Sequence, residues 1–143
     1  MTTFSTTQTY ALTNAFAGSA KQLSSNGAGN TPIMDTASSN DAEQWYLGAA
    51  PYQEYYYLHT GALGDAQVLD VINDNGTNSV NVHFTNTGFY SGQYWRFDPW
   101  SDGTYRLSNN FTGTGVYLDT YSGTLVPFLD GGEHSGQHWT FNV

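Results

Sequence analysis

At 143 residues the chain is long enough for one domain with a real core, and 12 acidic residues against 3 basic ones give a formal net charge of −9. That balance argues against nucleic acid and anionic membranes as partners, and zero cysteines exclude a disulfide framework, a thiol nucleophile and thiolate metal sites. No stretch approaches the ~20 apolar residues of a transmembrane helix, and 16% aromatic residues with only 10% charged ones suit short strands and turns rather than long helices.

Met1–Gln8 is polar and Thr-rich and reads as a loose lead-in. It has neither a basic nor an apolar signal region. The expectation is therefore a cytoplasmic chain or one secreted by an unconventional route, unless a signal has been trimmed. Three similar stretches then begin: Tyr10-Ala11-Leu12-Thr13-Asn14, Tyr56-Tyr57-Leu58-His59-Thr60 and Tyr105-Arg106-Leu107-Ser108-Asn109. Six residues after each Leu comes a glycine (Gly18, Gly64, Gly113), and eleven after it another leucine (Leu23, Leu69, Leu118). This reads as strand, turn, strand, with Gly at a position that requires φ > 0. Third apolar runs follow at Pro32–Met34, Val80–Val82 and Leu125–Phe128. In the second unit, Asn73-Asp74-Asn75-Gly76 reads as a turn.

Each unit closes on a tryptophan: Asp41-Ala42-Glu43-Gln44-Trp45, Ser91-Gly92-Gln93-Tyr94-Trp95 and Ser135-Gly136-Gln137-His138-Trp139. The tryptophans are 50 and 44 residues apart, a spacing that marks repeated supersecondary units unable to bury their apolar faces alone. The prediction is a single domain of three repeats, about residues 8–48, 52–98 and 103–143, with twelve strands and no helix. The bridges near 49–53 and 99–103 carry proline or glycine and read as turns. Periodicity alone leaves a closed barrel, a three-bladed arrangement and a sandwich open.

The two intact Gln-x-Trp motifs, the worn copy at Glu43-Gln44-Trp45, and Leu69-Asp70 and Leu118-Asp119 ahead of them resemble the ricin-B-type lectins. The resemblance spans about residues 8–143. It implies an all-β β-trefoil of three four-stranded repeats about a pseudo-three-fold axis. It also implies a carbohydrate-binding protein with up to two shallow sites, and no enzyme and no cofactor. In such sites the Asp of Leu-Asp accepts hydrogen bonds from neighbouring sugar hydroxyls, an aromatic residue stacks on the sugar, and the signature Gln orients the Asp. Carried over, this assigns Asp70, His83 and Gln93 to the second repeat and Asp119, Phe128 and Gln137 to the third. A carboxylate suits the task because it offers two acceptor oxygens and forms charge-assisted bonds. Many sugar-binding members carry Asn just ahead of the Gln. Here Gly92 and Gly136 stand there, which removes one contact expected for a galactose-type sugar and leaves Asn86, Tyr90 or His134 to replace it.

In the first repeat Ser24 replaces the Asp and Glu43 the Gln, with the aromatic position falling near Asp35–Thr36, so that site reads as lost. Catalytic alternatives are thin. Glu133, His134 and His138 suggest a metal site, but His134 and His138 on one strand would lie ~13 Å apart. Two sites on one chain, or a homodimer, would supply avidity toward a multivalent glycan. The competing classes are a trefoil protease inhibitor acting through one loop, and a structural or self-assembling trefoil.

Overall fold

The computed structural model describes residues 4–72, 80–120 and 125–143. Among them are twelve strands, and the only helical segments are four 3-10 turns. The first repeat contributes β1 (Thr9–Asn14), β2 (Lys21–Ser24), β3 (Ile33–Thr36) and β4 (Trp45–Ala49). The second contributes β5 (Tyr56–Thr60), β6 (Gln67–Val71), β7 (Val82–Asn86) and β8 (Trp95–Pro99). The third contributes β9 (Tyr105–Asn109), β10 (Tyr117–Asp119), β11 (Phe128–Asp130) and β12 (Trp139–Asn142). First and fourth strands of all three repeats close a six-stranded barrel, in the order β1-β12-β9-β8-β5-β4. Second and third strands form three separate hairpins, β2-β3, β6-β7 and β10-β11. A six-stranded barrel capped by three hairpins is a β-trefoil, and its closure leaves the barrel no free edge.

The repeats are equivalent at atomic detail. The Trp45 indole Nε1–H donates to the Leu23 carbonyl at 2.8 Å, Trp95 to Leu69 at 3.0 Å and Trp139 to Leu118 at 2.9 Å. All three tryptophans and their leucines are fully buried, so each indole fills the core while its one polar group is satisfied. The barrel leucines Leu12, Leu58 and Leu107 are equally buried. Neighbouring repeats are tied by one recurrent bond: the amides of Ala15, Gly61 and Asn110 donate to the carbonyls of His138, Gln44 and Tyr94 at 3.0, 2.9 and 2.9 Å. Gly18, Gly64 and Gly113 have φ of 75°, 69° and 82°, the left-handed turn position their spacing implies.

Three expectations need correction. The described part of the lead-in, residues 4–8, is anchored at Phe4 rather than loose. Phe4 is only 8% exposed and packs at 4.8–5.0 Å between ring centroids against Phe97, Tyr105 and Phe141. It fills space that three repeats of unequal side chains leave at the barrel mouth, and the Ser5 amide fastens it to the Tyr10 hydroxyl at 3.0 Å. The third strands start later than the apolar runs imply: β7 begins at Val82 and β11 at Phe128. Pro127 lacks the amide a ladder needs and Leu125 sits at φ 56°, so neither continues a strand. Finally, Ser24 pairs with Ile33 across β2-β3, which makes Ile33, not Asp35 or Thr36, the first-repeat counterpart of His83 and Phe128. The turn expected at Asn73–Gly76 lies outside the described residues.

Candidate functional site

In each hairpin the same position near the end of the repeat's second strand carries the candidate group: Ser24, Asp70 or Asp119 follows the leucine whose carbonyl the tryptophan holds. The cross-strand partner of Asp70 is His83 and that of Asp119 is Phe128. Above the strand end lies a one-turn 3-10 segment, Asp41–Glu43, Ser91–Gln93 or Ser135–Gln137, which brings the signature residue back toward the hairpin.

The glycines ahead of Gln93 and Gln137 have a steric cause. A Cβ on Gly92 would lie 2.8 Å from Asp70 Oδ1, and one on Gly136 would lie 2.3 Å from Asp119 Oδ1 and 1.8 Å from the Thr120 carbonyl oxygen. The first repeat carries Ser24 in place of the Asp and accepts Ala42 at the equivalent position. An Asn at position 136 would therefore not fit this backbone, and one at position 92 would have to displace the Asp70 carboxylate. From the neighbouring repeat, Asn109 Nδ2 donates to the Gly92 carbonyl at 2.8 Å and Asn14 Nδ2 to the Gly136 carbonyl at 3.1 Å, which holds each turn down on its carboxylate.

In the second repeat one oxygen of Asp70 is taken by its cross-strand partner. His83 Nε2–H donates to Asp70 Oδ2 at 2.6 Å, so the edge of the imidazole is committed to the carboxylate. Burial pushes the Asp70 carboxyl above its ordinary value, and the His83 contact opposes that rise. Gln93 is buried and serves the loop: its Oε1 accepts from the Gly88 amide at 2.8 Å and its Nε2 donates to the Asn86 carbonyl at 3.0 Å. Asn86 Oδ1 accepts from Gln67 Nε2 at 2.8 Å. Tyr90, 66% exposed, caps the 3-10 turn and lays its ring along Gly88.

The third repeat is arranged differently. Asp119 is 1% exposed, so its carboxylate is buried beneath the site rather than facing solvent. Gln137 Nε2 donates to Asp119 Oδ2 at 3.2 Å and to the carbonyls of Asp130 and Gly131 at 3.3 and 3.0 Å. Asp119 Oδ1 is buried without a hydrogen-bond partner. Desolvation raises the Asp119 carboxyl above its usual range and the Asp130 charge adds to the rise, while the Gln137 bond, the His134 imidazole and the Thr120 backbone amide oppose it. An unpaired buried acceptor is costly and calls for an explanation.

Asp119, Thr120 and Gly136 form the buried base of an open pocket of about 590 Å³. Its walls are Asp130, Glu133, His134 and Ser135, and Phe16 from the first repeat completes it, 39% exposed. Phe128 and Gln137 are not among the described residues that line it. Sequence reasoning missed Phe16, Asp130 and Glu133 as pocket residues. A signal existed for Phe16: it stands four residues after Leu12, as Phe111 stands four after Leu107.

Glu133, His134 and His138 do not lie along one strand, because the 3-10 turn at Ser135–Gln137 folds the segment back. His138 Nδ1 stands 2.9 Å from Asp102 and Nε2 3.3 Å from Glu133, while His134 faces Asp130 at 3.9 Å. Among the described residues, no group of three or more His, Asp or Glu side chains could hold a metal ion.

No protein-family model matches the chain, and no curated protein matches it. Solved structures do. A designed three-fold symmetric protein, ThreeFoil, is 25% identical with a TM-score of 0.78, over 94% of this chain and 98% of its own. An exo-beta-1,3-galactanase from Clostridium thermocellum is 22% identical with a TM-score of 0.77, over 96% of this chain but only 30% of the galactanase. SeviL, solved bound to the asialo-GM1 saccharide, is 16% identical with a TM-score of 0.69, over 94% of this chain and 95% of its own. At such identities the likeness establishes the β-trefoil and leaves chemistry to the residues.

Proposed function

We propose that this protein is a carbohydrate-binding protein of the ricin-B-type, Gln-x-Trp kind, without catalytic activity, and that its principal site is the pocket over Asp119. The observation that carries the reading is the unpaired Oδ1 of a buried carboxylate at the base of an open pocket. A sugar hydroxyl donates to that oxygen, while Gln137 fixes the other and sets the plane of the carboxylate. The exposed face of Phe16 offers an apolar surface for the C–H side of a pyranose ring. Rim carboxylates and His134 supply further polar partners. Similarity over nearly its whole length to a protein solved with a saccharide supports the reading.

A shallow, wet pocket binds a single sugar weakly. Homodimerisation would raise avidity for multivalent glycans. A glycan array competed with free sugar tests the proposal. Retention of a defined glycan set, released by the free sugar, is expected. Retention of none, with inhibition of a protease in a parallel assay, would replace it with the inhibitor reading.

A further inference from the structure

We infer that the pocket over Asp119 selects sugars bearing a free, charged amino group (2-amino-2-deoxyhexoses) over their N-acetylated, neutral or anionic counterparts. This rests on the carbohydrate-binding reading and adds the class of sugar.

The charge inventory of the pocket leads there. Three of its lining residues are Asp119, Asp130 and Glu133, and none is Lys or Arg. The chain's three strong cations lie elsewhere. Arg96 pairs with Asp98 and Glu54, Arg106 lies over the Trp100 ring at 4.9 Å, and Lys21 is on β2 in the first repeat. His134 is the one basic group on the wall, and it faces Asp130 at 3.9 Å. A sialic or uronic acid would set its carboxylate among three others with only the His134 imidazole, already facing Asp130, to meet it, an arrangement that disfavours an anionic ligand.

The second observation is the buried, unpartnered Asp119 Oδ1. It lies against the Cα of Gly136 at the base of the pocket, and a donor that reaches it from the pocket supplies the missing bond. An ammonium carries three donors and no acceptor. It can satisfy Oδ1 through a charge-assisted bond while facing Asp130 or Glu133. An acetamido group has one N–H, no charge, and a carbonyl oxygen that would itself face the carboxylates. A hydroxyl can fill Oδ1 but gains little from the surrounding negative field.

Calorimetry with short glucosamine oligomers, matched N-acetylglucosamine oligomers and galacturonic acid oligomers tests this, at about pH 6 where an amine of this kind is protonated. The glucosamine series should bind at least ~tenfold tighter than the acetylated one, and the uronate series should not bind. Asp119→Asn should abolish the preference. Glu133→Gln, at an exposed side chain, should reduce it. Asp35→Asn, an equal charge change in the first repeat, should leave it intact. Equal or tighter binding of acetylated or neutral sugars overturns the inference while leaving the carbohydrate reading standing. Equal losses in Asp35→Asn and Glu133→Gln also overturn it, because they would reflect attraction to the acidic surface as a whole. Failure of every sugar class to bind removes the carbohydrate reading as well.

Discussion

The second and third hairpins share one frame and use it in opposite ways. Both carry Leu-Asp, a Gly-Gln turn above it and a buried tryptophan that holds the leucine carbonyl. The difference lies in one cross-strand residue. Opposite Asp70 stands His83, which donates to the carboxylate at 2.6 Å. Opposite Asp119 stands Phe128, whose side chain has no N–H or O–H to offer. Gln137 reaches Asp119 besides the Asp130 and Gly131 carbonyls of its own loop, whereas Gln93 serves the Gly88–Asn86 loop. One acceptor in the third repeat is left over, and it lies at the base of a pocket. A repeat motif fixes where a carboxylate stands. Its neighbour across the hairpin decides whether that carboxylate is free for a ligand.

The comparison assumes a common scaffold, and the largest expected effect tests that assumption. Trp95→Ala and Trp139→Ala should each destabilise by roughly 3–5 kcal/mol in denaturant melts, the usual loss for a buried aromatic. If one of them changes stability by under ~0.5 kcal/mol, the repeats do not share a frame. The glycines sharpen the contrast next. Gly92→Ala and Gly136→Ala should both cost stability, in the range of about 1–3 kcal/mol for overpacking. Gly136→Ala should cost more, because its Cβ would meet the Thr120 carbonyl oxygen at 1.8 Å while the closest atom to a Cβ at Gly92 is at 2.8 Å. Equal melting curves for the two variants would show that the third turn relaxes freely.

The pH dependence of Asp119 gives a smaller, signed effect. Its carboxyl is raised in the folded protein, chiefly by desolvation. The folded state therefore keeps the proton to higher pH than the unfolded chain. Stability associated with the protonated form is complete below the unfolded range of about 3.9 and is lost as pH rises through the raised folded value. Asp119→Asn, which stays neutral, should be more stable than the parent at neutral pH, with the gain fading on acidification. A constant difference across that range would mean the carboxylate is not desolvated. The smallest effect is the conversion of one hairpin into the other. His83→Phe removes the donor on Asp70 and should add weak sugar binding at the second repeat, seen as a rise in calorimetric stoichiometry. No change would place the deciding feature in the pocket walls rather than in the cross-strand residue.

Much of this frame was readable from the chain. The leucine, glycine and tryptophan offsets are set by strand period and turn chemistry, which act locally, so the twelve strands and the three-fold equivalence follow from spacing. Phe4 was not readable, because nothing in a polar lead-in says that a ring will plug the barrel mouth. At the site, Asp70 and Asp119 have the same sequence signature. Their different states arise from hairpin register, which pairs His83 with one and Phe128 with the other. Phe16 comes from another repeat, and only closure of the barrel brings it near Asp119. Gly92 and Gly136 read as missing contacts, while in the folded chain they are the only residues that clear the carboxylates beneath them.

The most direct test of the central claim is titration calorimetry of the parent, Asp70→Ala and Asp119→Ala against the glycan an array identifies. The account predicts that Asp119→Ala loses about 1.5–3 kcal/mol or more of binding free energy, the worth of a hydrogen bond to a charged group, that Asp70→Ala stays near the parent, and that the parent binds close to one sugar per chain. Full-strength binding by Asp119→Ala, or equal losses in the two variants, would contradict it.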